Sequence, residues 1–290
     1  MVNAVIGISS ISLSTEEAEL IKKYTPYGVI LFKRNCENEK QVQELNQSIK
    51  DICPECKIFI DQEGGRVARL RKPNFNEFPA AATFDTEATV YENYFKMGEY
   101  LKFLKFDINC APVADLFFPF ADNIIGDRSF GDNVEKVSLF ARAAAQGLID
   151  SGIIPVIKHI PGHGRALVDS HLELPVIKEG LTVLEKTDFA VFKNLKDLPI
   201  AMTAHIIYTA LDPINPITIS KKAIDYLRNE LEFKGLIISD DINMKALKGS
   251  LSSLTKEIFN AGCDLVLHCN GNLEEIKEVL RSLTEASLQQ

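Results

Sequence analysis

What this 290-residue sequence lacks most plainly is a surplus of positive charge: 32 Lys and Arg face 40 Asp and Glu, a formal net charge of −8. Nucleic acids and anionic membranes are held by clustered Lys and Arg, so neither is the expected partner, although a local basic site stays open. Long hydrophobic runs are absent too. None approaches the roughly 20 residues of a membrane span. The apolar stretch Ala4–Ile8, with no cationic segment beside it, is too short for a signal peptide, so a cytoplasmic protein is expected. There is no Pro/Ser-rich linker, low-complexity tract or fixed-period repeat, and residues 1–290 are expected to form one domain. No P-loop or dinucleotide fingerprint occurs, and no cofactor is expected. The six cysteines are dispersed. Cys53 and Cys56 have redox-motif spacing, but they close a helical pattern instead of opening one, so free thiols are expected.

What is present is alternation. Short β-branched runs occur at Ala4–Ile8, Gly28–Phe32, Lys57–Asp61, Phe106–Ala111, Ile153–His159, Pro199–His205, Gly235–Asp240 and Cys263–His268. Helical patterns are expected over Glu16–Tyr24, Glu37–Ile52, Glu92–Leu104, Val134–Asp150, Leu181–Leu195, Lys221–Leu231, Leu251–Ala261 and Leu273–Leu283. Strands that read as continuous apolar runs fit a parallel sheet covered by helices. Eight of each is the count of a (β/α)₈ TIM barrel, typically about 250 residues long. A doubly wound sheet is the competitor, but it rarely needs so many consecutive parallel strands.

In such a barrel the chemistry sits at the C-terminal ends of the strands. The third run ends in Asp61-Gln62-Glu63-Gly64-Gly65-Arg66, and the segment after the fourth contains Gly126-Asp127-Arg128-Ser129-Phe130-Gly131. The fifth ends in Lys158-His159-Ile160-Pro161-Gly162-His163-Gly164, followed by Asp169-Ser170-His171; the sixth ends at His205 and the seventh at Asp240-Asp241. One histidine at a strand end is usually structural, but four from neighbouring strands and a loop point to a site. On extended chain Asp169 and His171 face the same way, so the carboxylate can hold the imidazole tautomer and leave the other nitrogen for proton transfer. A simple loop brace is the competing reading of that tripeptide. Gly162 and Gly164 are expected to let the loop turn tightly and approach a ligand. Asp240 and Asp241 can be metal ligands, or one catalytic carboxylate with a structural neighbour. A zinc hydrolase is the rival on residue types, but Lys158 and Arg128 would place positive charge where a dication should sit, and no metal is expected.

Taken together and in this order, Asp61-Gln62-Glu63-Gly64-Gly65-Arg66-Val67, Lys158-His159-Ile160-Pro161-Gly162-His163-Gly164 with Asp169-Ser170-His171, and Ser239-Asp240-Asp241-Ile242-Asn243-Met244 resemble glycoside hydrolase family 3. The likeness is strongest to its single-domain bacterial branch, the β-N-acetylglucosaminidases (β-N-acetylhexosaminidases) of peptidoglycan recycling. Gly28–Phe32, Ala111–Asp115, Met202–His205 and Pro216–Ser220 agree with it as well. The resemblance implies a nucleophile at Asp240, an acid/base at His171 partnered by Asp169, and sugar-binding positions at Asp61, Arg69, Arg128, Lys158 and His159; His205 is included as a substrate-binding candidate. It implies a GlcNAc-containing muropeptide as substrate, and a monomer is expected. Ile160 in place of the family's usual aromatic, Ile242 in place of Leu, and the less polar Arg165-Ala166-Leu167-Val168 depart from the pattern. A family 3 β-glucosidase and a β-N-acetylglucosaminide phosphorylase are the alternative readings.

Overall fold

In the computed structural model, which describes residues 1–287, eight parallel strands close into a barrel. In chain order the elements are β1 (Val2–Gly7), α1 (Thr15–Tyr24), β2 (Pro26–Leu31), α2 (Glu39–Ile52), β3 (Lys57–Ile60), α3 (Glu87–Phe103), β4 (Ile108–Asn109), α4 (Val134–Asp150) and β5 (Ile154–Ile160). They continue with β6 (Val176–Ile177), α5 (Leu181–Leu184), α6 (Asp188–Asn194), β7 (Ile200–Thr203), β8 (Ile207–Tyr208), α7 (Lys221–Asn229), β9 (Leu236–Asp241), α8 (Leu251–Ala261), β10 (Leu265–His268) and α9 (Leu273–Ser287). The barrel order is β1-β2-β3-β4-β5-β7-β9-β10, and β10 pairs back onto β1 through Val266 opposite Ala4. The expected (β/α)₈ architecture forms. The single domain expected over 1–290 has its last three residues outside those described.

Helix starts are set by side chains that accept the otherwise unpaired first-turn N–H groups. Ser14 and Glu17 form a reciprocal capping box on α1. Asn38 caps α2 by accepting from Gln41 N, which is why that helix begins at Glu39 and not at Glu37. Thr86 caps α3 through Thr89 N and starts it five residues before the expected Glu92. The helix expected over Leu181–Leu195 is instead two pieces. Between them the Thr187 hydroxyl lies within hydrogen-bond reach of the Val183 carbonyl and the Asp188 carboxylate, and Arg165 reaches Asp188 from a loop. The fourth strand is also shorter than its expected Phe106–Ala111: Ala111 N turns back to donate to the Asn109 carbonyl at 2.8 Å instead of to a neighbouring strand.

The strand period of two sorts the core. Val5, Ile30, Phe59, Ile108, Val156, Ile200, Ile238 and Leu265 fill the barrel interior, while Ala4, Val29, Ile58, Ile157, Ala201 and Ile237 pack outward against the helices. Gly28 lies on the inward row because the Phe59 ring takes its space: a Cβ there would sit 2.4 Å from the ring and 2.7 Å from the Lys57 carbonyl. Gly28→Ala is therefore expected to destabilise the fold by about 1–3 kcal/mol through overpacking. Urea unfolding should show a lower midpoint with an unchanged slope.

The small parallel pair β6–β8 stands apart from the barrel, with Val176 opposite Ile207 and Ile177 opposite Tyr208. It ties the chain after β5 to the chain after β7. No helix among the described residues is long and apolar enough to cross a membrane. All six cysteines are unpaired thiols, and burial raises the thiols of Cys36 (to about 12) and Cys56.

Candidate active site

The parity that sends Phe59, Val156 and Ile238 inward carries on one step to Asp61, Lys158 and Asp240, so three charged side chains project into the mouth of the barrel. They line a cavity of about 330 Å³ together with Arg69, Arg128, His159 and His171, all at the C-terminal ends of strands or in the loops beyond.

Lys158, only 3% exposed, bridges two carboxylates: its ammonium donates to Asp61 at 2.8 Å and to Glu63 at 2.6 Å. Arg69 completes Asp61 at 2.9 Å and lies over the Phe32 ring; Arg128 clasps Glu63 with two bonds of 2.8 Å. Burial opposes ionisation of both acids, but the facing cations outweigh it. Asp61 falls below the usual carboxylate range and Glu63 is held at about 2. The same attraction outweighs burial for Lys158 and Arg128 and raises both. These groups stay charged, which makes them fixed hydrogen-bond partners and poor proton shuttles.

Two predictions follow from this cluster. Lys158→Met removes the buried cation that Asp61 and Glu63 share and leaves each carboxylate with a single arginine, so a loss of about 3–5 kcal/mol is expected in thermal or chemical unfolding. Adding Glu63→Gln should deepen it, since Arg128 then loses the carboxylate that compensates it. In acid, a carboxyl depressed from 4.5 to about 2 lends stability that is complete above 4.5 and lost as the pH falls through 2. Unfolding free energies measured at pH 6 and pH 3 should therefore differ less in Glu63→Gln than in the unaltered protein.

The loop after β3 is folded by Gln62, whose side-chain oxygen accepts from Arg69 N and Leu70 N while its amide donates to the Leu70 carbonyl. Gln62 and Asn109 also exchange bonds, pinning the ends of β3 and β4 together. At Gly64, with φ of +103°, a Cβ would meet the Pro79 carbonyl at 2.2 Å, so only glycine fits the turn that delivers Arg69.

Asp115, fully buried, organises the histidines. It accepts from the backbone N–H of His159 and of His163 and from His159 Nδ1 at 2.7 Å. Because a carboxylate only accepts, Nδ1 carries the proton and Nε2 of this cavity-lining ring is the one left uncommitted. His163, 2% exposed, places Nε2 2.9 Å from Ser170 Oγ, and burial lowers its pKa to about 4.

Asp169 and His171 do pair. Asp169 Oδ1 accepts from His171 Nδ1 at 2.7 Å and from His171 N at 2.8 Å. The imidazole side chain is 60% exposed and lines the same cavity as Asp240, so the free nitrogen is reachable by a ligand there. Of the nearby glycines, Gly162 turns the loop with a φ of +143°, as expected, and Gly164 lets it press against the Leu116 carbonyl, which a Cβ would meet at 1.9 Å.

Among the described residues, the Asp240 carboxylate makes a single hydrogen bond, accepting from Asp241 N at 2.8 Å, and no ion pair. Burial opposes its ionisation, but the neighbouring imidazoles of His205 and His159 prevail and hold it below the ordinary value. For Asp241 burial prevails and its pKa is raised; its carboxylate accepts from Asn243 N and Cys269 N. The two adjacent acids are thus pushed apart, one toward the anion and one away from it.

His205 sits behind this pair. It is fully buried, with Nδ1 2.7 Å from Thr218 Oγ1 and Nε2 donating to the Asp241 carbonyl at 3.1 Å, and it does not line the cavity. As a direct sugar ligand it is misplaced; both ring nitrogens are used to brace the strand end. Glu63, Asp115, Gln62 and Ser170 lie within or beside the quoted motifs but were assigned no role from sequence. Glu63 had a usable signal, since it stands two residues beyond Asp61 at a strand end.

These features agree with what the chain resembles. Residues 2–290 match the model of the glycosyl hydrolase family 3 N-terminal domain. A β-hexosaminidase of Alkalilimnicola ehrlichii is 38% identical over 97% of this chain and 84% of its own length, and one of Haemophilus influenzae is 35% identical over 98% and 83%. Among solved structures, NagZ from Neisseria gonorrhoeae in complex with N-trifluoroacetyl-D-glucosamine superposes with a TM-score of 0.89 at 31% identity, covering 99% of this chain and 88% of that one. A family 3 β-N-acetylglucosaminidase from Paenibacillus superposes with 0.92 at 30% identity, over 98% and 56%. A barrel whose mouth gathers Asp61, Lys158, His159, His171 and Asp240, matched along its length by relatives of one kind, is a glycoside hydrolase, and the chain belongs to glycosyl hydrolase family 3.

Proposed function

We propose that this protein hydrolyses terminal β-linked N-acetylhexosaminides with retention of configuration, with Asp240 as nucleophile and His171, oriented by Asp169, as acid and base. The observation that carries the reading is the contrast among the cavity carboxylates. Asp61 and Glu63 are each neutralised by two cations, whereas Asp240 is paired with none among the described residues and shares its cavity with the His171 ring. A bonded cation draws charge from a carboxylate and weakens it as a nucleophile, and among the described residues only Asp240 of these three is free of one.

Asp61 accepts from sugar hydroxyls, while Arg128, Lys158 and Arg69 donate to hydroxyls and to the acetamido carbonyl. His171 Nε2 delivers a proton to the departing glycosidic oxygen as an Asp240 oxygen bonds to the anomeric carbon. Neutral His171 then takes a proton from water, which attacks the same carbon and releases Asp240. The names of the relatives favour an N-acetylhexosaminide over other sugars. In the cell the substrate is a GlcNAc-bearing muropeptide met in the cytoplasm during peptidoglycan recycling.

The test is release of 4-nitrophenol from the β-N-acetylglucosaminide and from the β-glucoside, each with and without phosphate. Turnover of the first alone, yielding free sugar without phosphate, supports the proposal. Preference for the glucoside favours a β-glucosidase, and a sugar phosphate product favours phosphorolysis. Loss of activity to a chelator would indicate a metal-dependent hydrolase instead.

A further inference from the structure

The turn that carries the dyad is held at its flanks by backbone and aromatic contacts. The Tyr208 hydroxyl donates to the Gly162 carbonyl at 2.8 Å, Asp122 N donates to the Ala166 carbonyl at 2.8 Å, and Ile207 N donates to the Pro175 carbonyl at 3.0 Å. Arg165 is fixed on Asp188 and over the Phe118 ring. Asp169–Glu173 itself is different. Among the described residues its hydrogen bonds close within the turn: His171 N and Nδ1 to Asp169 Oδ1, and Leu172 N and Glu173 N to the Asp169 carbonyl. The one exception is Ser170 Oγ, 2.9 Å from His163 Nε2.

Both partners of that bond are 2% exposed, and both line the cavity. His163 is immobilised from behind, because its N–H donates to buried Asp115 at 2.7 Å, and Asp115 also holds His159. Its Nδ1 is buried with no partner among the described residues. An orphaned buried N–H is rarer and costlier than an orphaned lone pair, so the proton belongs on Nε2 and is donated to the serine oxygen.

We propose that Ser170 is a positioning residue for proton transfer: its bond to His163 is the link through which the rigid barrel end sets where His171 stands. The idea rests on the reading of His171 as acid and base. Its sequence expression is the spacing of His163, Ser170 and His171, with the anchor seven residues ahead of the serine and the acid directly after it. Removing the hydroxyl leaves the turn closed on itself and leaves Asp61, Arg69, Lys158 and Asp240 untouched, so sugar binding should survive while delivery of the proton suffers.

The experiment compares Ser170→Ala, Ser170→Thr and His171→Ala on aryl β-N-acetylglucosaminides whose phenols range from 2,4-dinitrophenol to unsubstituted phenol. A dinitrophenolate leaves without a proton and phenolate does not. One neutral hydrogen bond corresponds to about ten-fold in rate. Ser170→Ala should therefore lose about ten-fold in kcat/KM on the phenyl glycoside, lose little on the dinitrophenyl one, and keep the inhibition constant of free N-acetylglucosamine. Ser170→Thr should restore the loss. If Ser170→Ala folds poorly, Thr and Val at this position, alike in volume and differing in the hydroxyl, carry the comparison. A loss of equal size on every aglycone, or none on the phenyl glycoside, overturns the proposal. His171→Ala separates the two ideas: without a leaving-group dependence there, the acid/base reading itself fails; with one there and none in Ser170→Ala, only the positioning role does.

Discussion

Asp240→Asn is expected to lower turnover of an aryl β-N-acetylglucosaminide by on the order of 10⁴-fold or more, as loss of a covalent nucleophile does. Asparagine keeps the size of the side chain and the oxygen that accepts from Asp241 N, so the strand end should stay as it is. What disappears is the anion, and with it both bond formation to the anomeric carbon and charge compensation of the oxocarbenium-like transition state. His205 and His159, which hold the Asp240 carboxyl below its ordinary value, remain in place. Circular dichroism and thermal unfolding should be near normal while activity is lost. Activity within ten-fold of the unaltered protein would move the nucleophile elsewhere, and Asp241 would be the next residue to test.

His171→Ala is expected to cost roughly 10²–10⁴-fold on unactivated substrates, the size of a lost general acid and base. The ring is 60% exposed and its partners lie in its own turn, so the substitution should scarcely affect stability. Two steps lose a proton carrier at once. With a dinitrophenyl aglycone the first step no longer needs it, and the glycosyl-enzyme should accumulate, visible as a burst of phenolate and as added mass on the protein. Azide needs no base to attack the anomeric carbon, so adding it should restore turnover and yield the β-glycosyl azide as Asp240 departs. An α-glycosyl azide would mean direct displacement and would rule out the covalent intermediate. Asp169→Asn should give a milder version, because the amide still accepts a bond from the ring while its charge is gone.

The barrel was largely legible before the structure. Strands buried on both faces must be apolar throughout, so Gly28–Phe32 or Gly235–Asp240 stands out against amphipathic helices, and eight repeats of that contrast leave few architectures open. Capping chemistry was written there too: Thr86 and Asn38 mark starts that apolar periodicity alone misses by several residues. Less legible were features that depend on distant partners. The break between α5 and α6 is occupied by Arg165 from another loop, and the β6–β8 pair joins segments some thirty residues apart with two residues each, too short for any periodicity.

For the site, the sequence by itself determined the chemical inventory: which carboxylates, imidazoles and cations stand at strand ends, and which of them share parity with the barrel interior. Asp61, Lys158 and Asp240 were bound to meet once the strands closed, because a period of two leaves no other direction. Tertiary structure alone decided what each group is available to do. Three cations are spent on Asp61 and Glu63, Asp240 is left without a cation among the described residues, His205 braces a strand end, and Asp169–His171 is a pair whose ring reaches the cavity. The physical reason is that charge and hydrogen-bond capacity are consumed pairwise by whatever lies within about 3 Å, and residues 97 positions apart, such as Lys158 and Asp61, meet only when the chain is folded.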